Sequence, residues 1–187
     1  MSNNLGDITS LLEKLGRAST PAVKESGYGI SLIELIGGAA KPSSDNATLV
    51  IAPQWVFDEW PREISEPVSC VPGIAQQQAM SAKISSMFIH PEAFTSGVWL
   101  NSHTGANHHL AQEIFDAGRE LRARGRNVLV LNGDFLDAQH DSALIRATCT
   151  VQLDDIPEED LEEQAPQSPL WNWLISLNKR MVRSKND

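Results

Sequence analysis

The chain has 187 residues, 41% of them apolar and 21% charged, enough for one well-buried core and marginal for two. Its formal charge of −9 argues against a broad phosphate-binding surface, which disfavours nucleic acid as a partner. No run reaches the roughly 20 apolar residues of a membrane span, and MSNNLGDITS lacks the basic start and apolar core of a secretion signal, so a soluble, cytoplasmic protein is expected.

Residues 4–16 predict a short amphipathic helix, with Leu5, Ile8, Leu11, Leu12 and Leu15 on one face and Gly16 at its end. A loop follows to Gly29. Ile30 to Ile36 reads as a strand, and Gly37-Gly38-Ala39-Ala40-Lys41-Pro42-Ser43-Ser44 as the loop after it. Thr48 to Ala52 is the next strand, closed by Pro53. A short aromatic helix with Trp55, Val56, Glu59 and Trp60 stops at Pro61. Further on come a strand at Pro67–Val71, a helix at Ile74–Ile84 and a strand at Ser86–Ile89. Residues 90–106 form the longest loop of the core; loops of that length are usually functional or partly structured, and Val98 to Leu100 within it fit a strand or a helix equally.

The stretch from Ala106 to Asp134 is the most clearly patterned. Leu110, Ile114, Ala117 and Leu121 share one helix face, Asn107 is placed to cap its start, and Gly125 stops it. Arg119, Arg122 and Arg124 lie near the negative end of the helix dipole. Val128 to Leu131 is a continuous apolar run, as in a strand covered on both faces. A short helix at Ser142–Ala147 and a strand at Thr150–Leu153 complete the alternation. Strand and helix in this order predict a three-layer α/β fold with a mainly parallel sheet of about five or six strands. Such a sheet is Rossmann-like or degenerate P-loop, RecA-like.

From Asp154 the composition changes to DDIPEEDLEEQAPQSP, too acidic and proline-rich to bury much surface. Four segments result: an N-terminal helix and loop (1–29), an α/β domain (30–155), an acidic linker (156–167) and a C-terminal amphipathic helix (168–187). Ser168 and Pro169 are good first residues for that helix. Leu170, Trp171, Leu174, Leu177 and Met181 then form an apolar stripe, followed by Lys179, Arg180, Arg183 and Lys185.

The loop Gly37 to Ser44 stands where a phosphate-binding loop would, but the GxxxxGK[ST] order is missing and Pro42 removes an amide after Lys41. In element order the chain resembles RecA-like domains that have lost the P-loop, a group that includes SulA-type cell-division inhibitors. No HExxH, CxxC, GxSxG or GxGxxG motif occurs, and no cofactor is expected. Cys70 and Cys149, each in an apolar segment, fit two reduced core thiols better than a disulfide.

Polar residues collect at strand ends, the edge at which open α/β sheets bind ligands. His90, Glu92 and His103 or His108 are candidate metal ligands there, against the plainer reading of solvated loop histidines. Asp134 and Asp137 are candidate catalytic carboxylates, against a plain turn-forming role. Trp55, Trp60 and Trp99 are expected in the core or an interface.

The missing motifs favour a non-catalytic interaction protein, adaptor or regulator, whose tethered helix docks on a protein partner or a second copy through Leu170, Trp171, Leu174, Leu177 and Met181. The rivals are a small-molecule-binding enzyme using the strand-end edge, with residues 90–106 as its lid, and a peripheral membrane protein anchored by the same helix.

Overall fold

The computed structural model describes residues 42–131, 141–152 and 172–177. The expected helix at 4–16, the strand at 30–36 and the linker at 156–167 lie outside them, as do Asp134, Asp137, Leu170, Trp171 and Met181.

The described strands are β1 (Ala47–Ile51), β2 (Glu66–Ser69), β3 (Ile84–Ile89), β4 (Asn127–Val130) and β5 (Val151–Gln152). All pair in parallel, in the order β2-β1-β3-β4-β5. Between them run the helices α1 (Gln54–Asp58), α2 (Ala75–Met80), α3 (His108–Ala123) and α4 (Ser142–Arg146). The result is a three-layer α/β fold. No described helix is long and apolar enough to cross a membrane.

Strand side chains alternate between two apolar layers. Leu49, Ile51, Met87, Ile89, Val128 and Val130 meet Ala75, Ala79, Ala111, Ile114, Ala117, Leu121 and Ile145 of α2, α3 and α4. Val50, Phe88, Leu129 and Leu131 point the other way and meet Val56 and Trp60 from α1 and its end. This explains why Leu49–Ile51 of β1 and Val128–Val130 of β4 are apolar without a break: both faces are covered. A polar trio marks the amino end of the sheet, where Thr48 Oγ1 lies 3.1 Å from Ser65 Oγ and 2.9 Å from Ser86 Oγ.

Helix α3 fits its sequence pattern, with Ala111, Ile114, Ala117, Gly118 and Leu121 buried and Leu110 packed at the margin. Gly125, at φ 69°, ends it in the left-handed region. Gly125 N–H reaches Arg122 O (2.9 Å) and Arg126 N–H reaches Leu121 O (3.0 Å), the paired bonds of a Schellman stop. The other end differs from expectation. Asn107 occupies the cap position but makes no side-chain cap bond; its amide donates to Leu100 O at 2.8 Å instead.

Helix α2 is shorter than the expected 74–84 and closes at Met80. Its last carbonyls are taken from across the fold. Arg124 donates to Ala79 O and Met80 O (3.0 and 2.6 Å), and Arg126 to Ser81 O and Ala82 O (3.0 and 2.9 Å). Arg124 therefore serves the end of α2 as well as standing at the end of its own helix.

Residues 90–106 are partly structured. They form two 3-10 turns, Pro91–Phe94 and Gly97–Trp99. Phe94, Trp99, Ser102 and His103 are buried, and Trp99 Nε1 donates to Cys70 O at 3.0 Å. Two large aromatic side chains thus tie the segment into the core, leaving 95–98 and 100–101 exposed. Cys70 and Cys149 are not bridged to each other.

The helical residues 172–177 pack on the sheet face that α1 leaves partly open. Leu174 and Leu177 are buried against the Val50, Phe88, Leu129 and Leu131 layer, with Trp173 at its margin.

Candidate functional site

In a β2-β1-β3-β4-β5 sheet the chain leaves β1 toward one edge and crosses back to the other side of β1 at β3. The connections following β1 and β3 then lie on opposite faces, and by the rule for open α/β sheets the carboxyl ends of those two strands are where a ligand crevice is expected. The residues that reach it come directly after each strand: Ala52, Pro53 and the start of α1 after β1, and His90, Pro91 and Glu92 after β3.

His90 is held there by its own backbone. Its N–H donates to Ile51 O at 2.8 Å, extending the ladder by one residue. The side chain is fully buried. Its Nδ1 accepts the backbone N–H of Glu92 at 3.3 Å, which caps the turn Pro91–Phe94. An accepting Nδ1 places the proton of the neutral ring on Nε2. That Nε2 has no hydrogen-bond partner among the described residues. Burial lowers the pKa of His90 to about 4, against a smaller upward pull from the Glu92 charge, so the ring is neutral near pH 7.

Trp55 and Glu92 flank His90 from the two sides of the crevice. The indole ring meets the imidazole edge-on, with centroids 5.3 Å apart and planes at 85°. Trp55 Nε1 donates to Glu92 Oε2 at 3.1 Å, so one hydrogen bond joins the segment after β1 to the segment after β3. Phe88 stands on the inner side of His90, its centroid 6.4 Å away.

The other expected metal ligands are engaged elsewhere on this edge. His103 is buried with its ring on Phe94, centroids 5.6 Å apart, and burial lowers its pKa. Its carbonyl accepts the Asp141 N–H at 3.0 Å. His108, whose side chain is 62% exposed, places Nδ1 3.0 Å from Oδ1 of Asp141, whose side chain is 3% exposed. The structure therefore brings His90 and Glu92 together but adds neither His103 nor His108 to them. Among the described residues no three His, Cys, Asp or Glu side chains are grouped to hold a metal ion. The physical reason is local: Glu92 and Nδ1 of His90 are already engaged with Trp55 and with the turn.

The roles of two residues of this edge escaped the sequence reading. Trp55, expected in the core or an interface, packs half-buried against the core layer of Val50 and Phe88, but its hydrogen bond to Glu92 was not expected; an aromatic shortly after a strand-ending proline is the available signal. Asp141 precedes the helix α4 as a capping residue would, yet makes no cap bond and holds His108.

The amino-terminal side of the sheet carries a different feature. The backbone amides of Ser43 and Ser44 both donate to Glu66 Oε2 at 2.7 Å, and Ser43 Oγ donates to Oε1 at 2.9 Å. Burial raises the pKa of this carboxyl, and the donors outweigh it, leaving Glu66 lowered. These amides, at the end of the loop that stands where a phosphate-binding loop would, hold the chain's own carboxylate. Beside them a broad cleft of about 830 Å³ opens along the edge strand β2, with Phe57, Arg62, Glu63, Ser65 and Ser69 in its wall. Its wall also includes Gln54, the first residue of α1, so the cleft runs from the amino end of β2 to the segment that follows β1.

The expected partner anchors divide in two. Leu174 and Leu177 lie in the chain's own core, while Leu170, Trp171 and Met181 lie outside the described residues.

No family model, curated protein or solved structure matches the chain.

Proposed function

We propose that the protein is a binding domain for a small polar ligand, received at the carboxyl edge of the sheet between β1 and β3. The observation that carries this reading is His90, a buried neutral imidazole with a donor and no acceptor, at the crevice where open α/β sheets bind ligands. A buried unsatisfied donor is costly to the fold, on the order of 1–3 kcal/mol, and a ligand acceptor would relieve that cost. A free C-terminal helix recruiting a protein partner is less well supported, because two of its five anchors, Leu174 and Leu177, are covered by the sheet.

A thermal-shift screen of small polar metabolites on the full chain tests the reading. A binding compound raises the melting temperature saturably and loses that effect in His90→Phe, which removes the donor and keeps a flat ring. A library in which no compound shifts the melting temperature, or in which every shift survives His90→Phe, overturns it.

A further inference from the structure

The groups at the crevice also restrict what the ligand is. His90 offers a donor only, since Nδ1 is committed to the Glu92 N–H. Glu92 offers acceptors only. Its carboxylate takes one N–H, from Trp55, and a carboxylate has room for several more. Neither residue has a lysine or arginine among the described ion pairs and hydrogen bonds, so an anionic ligand would meet an uncompensated negative charge. Trp55 adds a flat aromatic ring, half-buried and borne on a helix of five residues. A donor, an acceptor and a ring within one crevice complement a flat molecule that carries an acceptor and a donor side by side.

We propose that the ligand is an uncharged planar nitrogen heterocycle of the lactam type, with its C=O accepting from His90 Nε2–H, its adjacent N–H donating to Glu92 and its face against Trp55. This rests on the reading of the β1–β3 crevice as the ligand site. Entry requires Trp55 to turn off His90 and release Glu92. The ligand N–H then replaces the indole N–H on the carboxylate, the indole N–H turns to water, and His90 gains the acceptor it lacks. The exchange leaves one more hydrogen bond than before, and stacking on an indole suits any flat π-system.

The test uses the full chain with uracil and hypoxanthine as lactam probes. 1,3-Dimethyluracil serves as a probe of the same shape without the N–H, and inorganic phosphate as an anion. Tryptophan fluorescence and the NMR signal of His90 Nε2–H are followed together. Uracil or hypoxanthine should quench saturably and shift the His90 signal, with affinity falling at least about tenfold for 1,3-dimethyluracil and in His90→Phe, since a site built for a hydrogen bond rejects the analogue lacking it. His90→Gln, which keeps an N–H donor, should recover part of the loss and guards against a simple folding defect. Equal binding of 1,3-dimethyluracil, or a His90 signal moved by phosphate and not by the lactams, overturns the lactam proposal while the crevice stays a ligand site. If neither these probes nor any compound of the polar metabolite library moves Trp fluorescence or the His90 signal, the crevice reading falls as well.

Discussion

The two faces of the sheet are covered by different means. One face receives α2 from the crossover between β2 and β3, which passes β1, and α3 and α4 from the connections between neighbouring strands; apart from Phe94 and Trp99 its layer is mainly aliphatic, with alanines at Ala75, Ala79, Ala111 and Ala117. Small residues let these helices lie close to the sheet and to each other. Among the described residues the other face has α1, of five residues, and the helical stretch 172–177. Its layer is filled by large rings instead: Trp173 stands 4.8 Å from Trp60 and 6.4 Å from Phe88, centroid to centroid. Where little backbone covers a sheet, large side chains must span the gap. The first face is closed by nearby chain, whereas the second depends on residues that arrive after the last strand. The polar crevice lies at the strand ends, beside the aromatic face.

Phe88 should show the largest effect. It is fully buried in the middle of the aromatic layer and touches Trp60, Trp173 and His90. Phe88→Ala should cost about 3–5 kcal/mol in denaturant unfolding, the range for truncating a core aromatic. A loss below about 1 kcal/mol would mean that this face is loosely packed and easily closed by rearrangement.

Leu174→Ala separates the two accounts of the tail. Leu174 is 1% exposed, so its truncation should cost about 2–4 kcal/mol even with no partner present. A loss within about 0.5 kcal/mol, the size of an ordinary surface change, would return Leu174 and Leu177 to the set of anchors open to a protein partner. Leu121→Ala on the aliphatic face is the matched control and should cost a similar amount, as Leu121 is equally buried.

How much of this was legible in the sequence differs between the faces as well. The aliphatic face is built from short-range pattern. Leu110, Ile114, Ala117 and Leu121 at helical spacing and the run Val128 to Leu131 are enough to give a helix and the buried strand after it, and the strands fall within a few residues of their expected bounds. What failed depended on distance along the chain. The end of α2 is set by Arg124 and Arg126, more than forty residues later. The apolar stripe of the tail was visible, but the sheet face that receives Leu174 and Leu177 was not. At the crevice, His90 and Glu92 stood out as polar residues ending a strand. Trp55 did not, because its role exists only once β1 and β3 are neighbours, and Asp141 meets His108 across 33 positions.

The faces should also differ in acid. His90 continues the side of β3 that carries Phe88, and folding lowers its proton affinity from the ordinary histidine value of 6.5 to about 4. The unfolded chain then binds the proton more readily than the folded one, and acid favours unfolding. The stability tied to His90 is complete above about pH 6.5 and falls as the pH drops through that value toward 4. His103, shifted in the same direction, adds to the loss with the same sign. The buried thiol of Cys70, on the aliphatic side, is pushed well up by burial and by the charge of Glu113, so it stays neutral throughout this range. Unfolding free energy should therefore drop by on the order of 1–2 kcal/mol between pH 7 and pH 5 through His90. His90→Phe should show a correspondingly shallower profile. Identical profiles for the two proteins would mean that His90 takes up a proton freely in the folded state, and so is open to water.

The smallest effect belongs to the aliphatic face and tests how close its packing is. Gly118 lies in the middle of α3, where glycine costs a helix about 1 kcal/mol relative to alanine. Elsewhere on an exposed helix, Gly→Ala would stabilise by about that amount. Here a Cβ on Gly118 would lie 2.8 Å from Thr148 Cβ and closer still to Thr148 Oγ1. Thr148 is 4% exposed and follows directly on α4, so it has little room to retreat, and its Cβ is fixed by the backbone. Relieving the overlap means moving α3 from the segment after α4, and overpacking of this kind costs about 1–3 kcal/mol. The helix gain offsets part of that, and Gly118→Ala should lower stability by about 1 kcal/mol, read as a shift of the denaturant midpoint without a change of slope. Thr148→Ser in the Gly118→Ala background should not restore it, because the Cβ and Oγ that meet the new methyl are still present. A Gly118→Ala protein more stable than wild type would show that the aliphatic face yields readily there, and the contrast with the aromatic face would then rest on side-chain size alone.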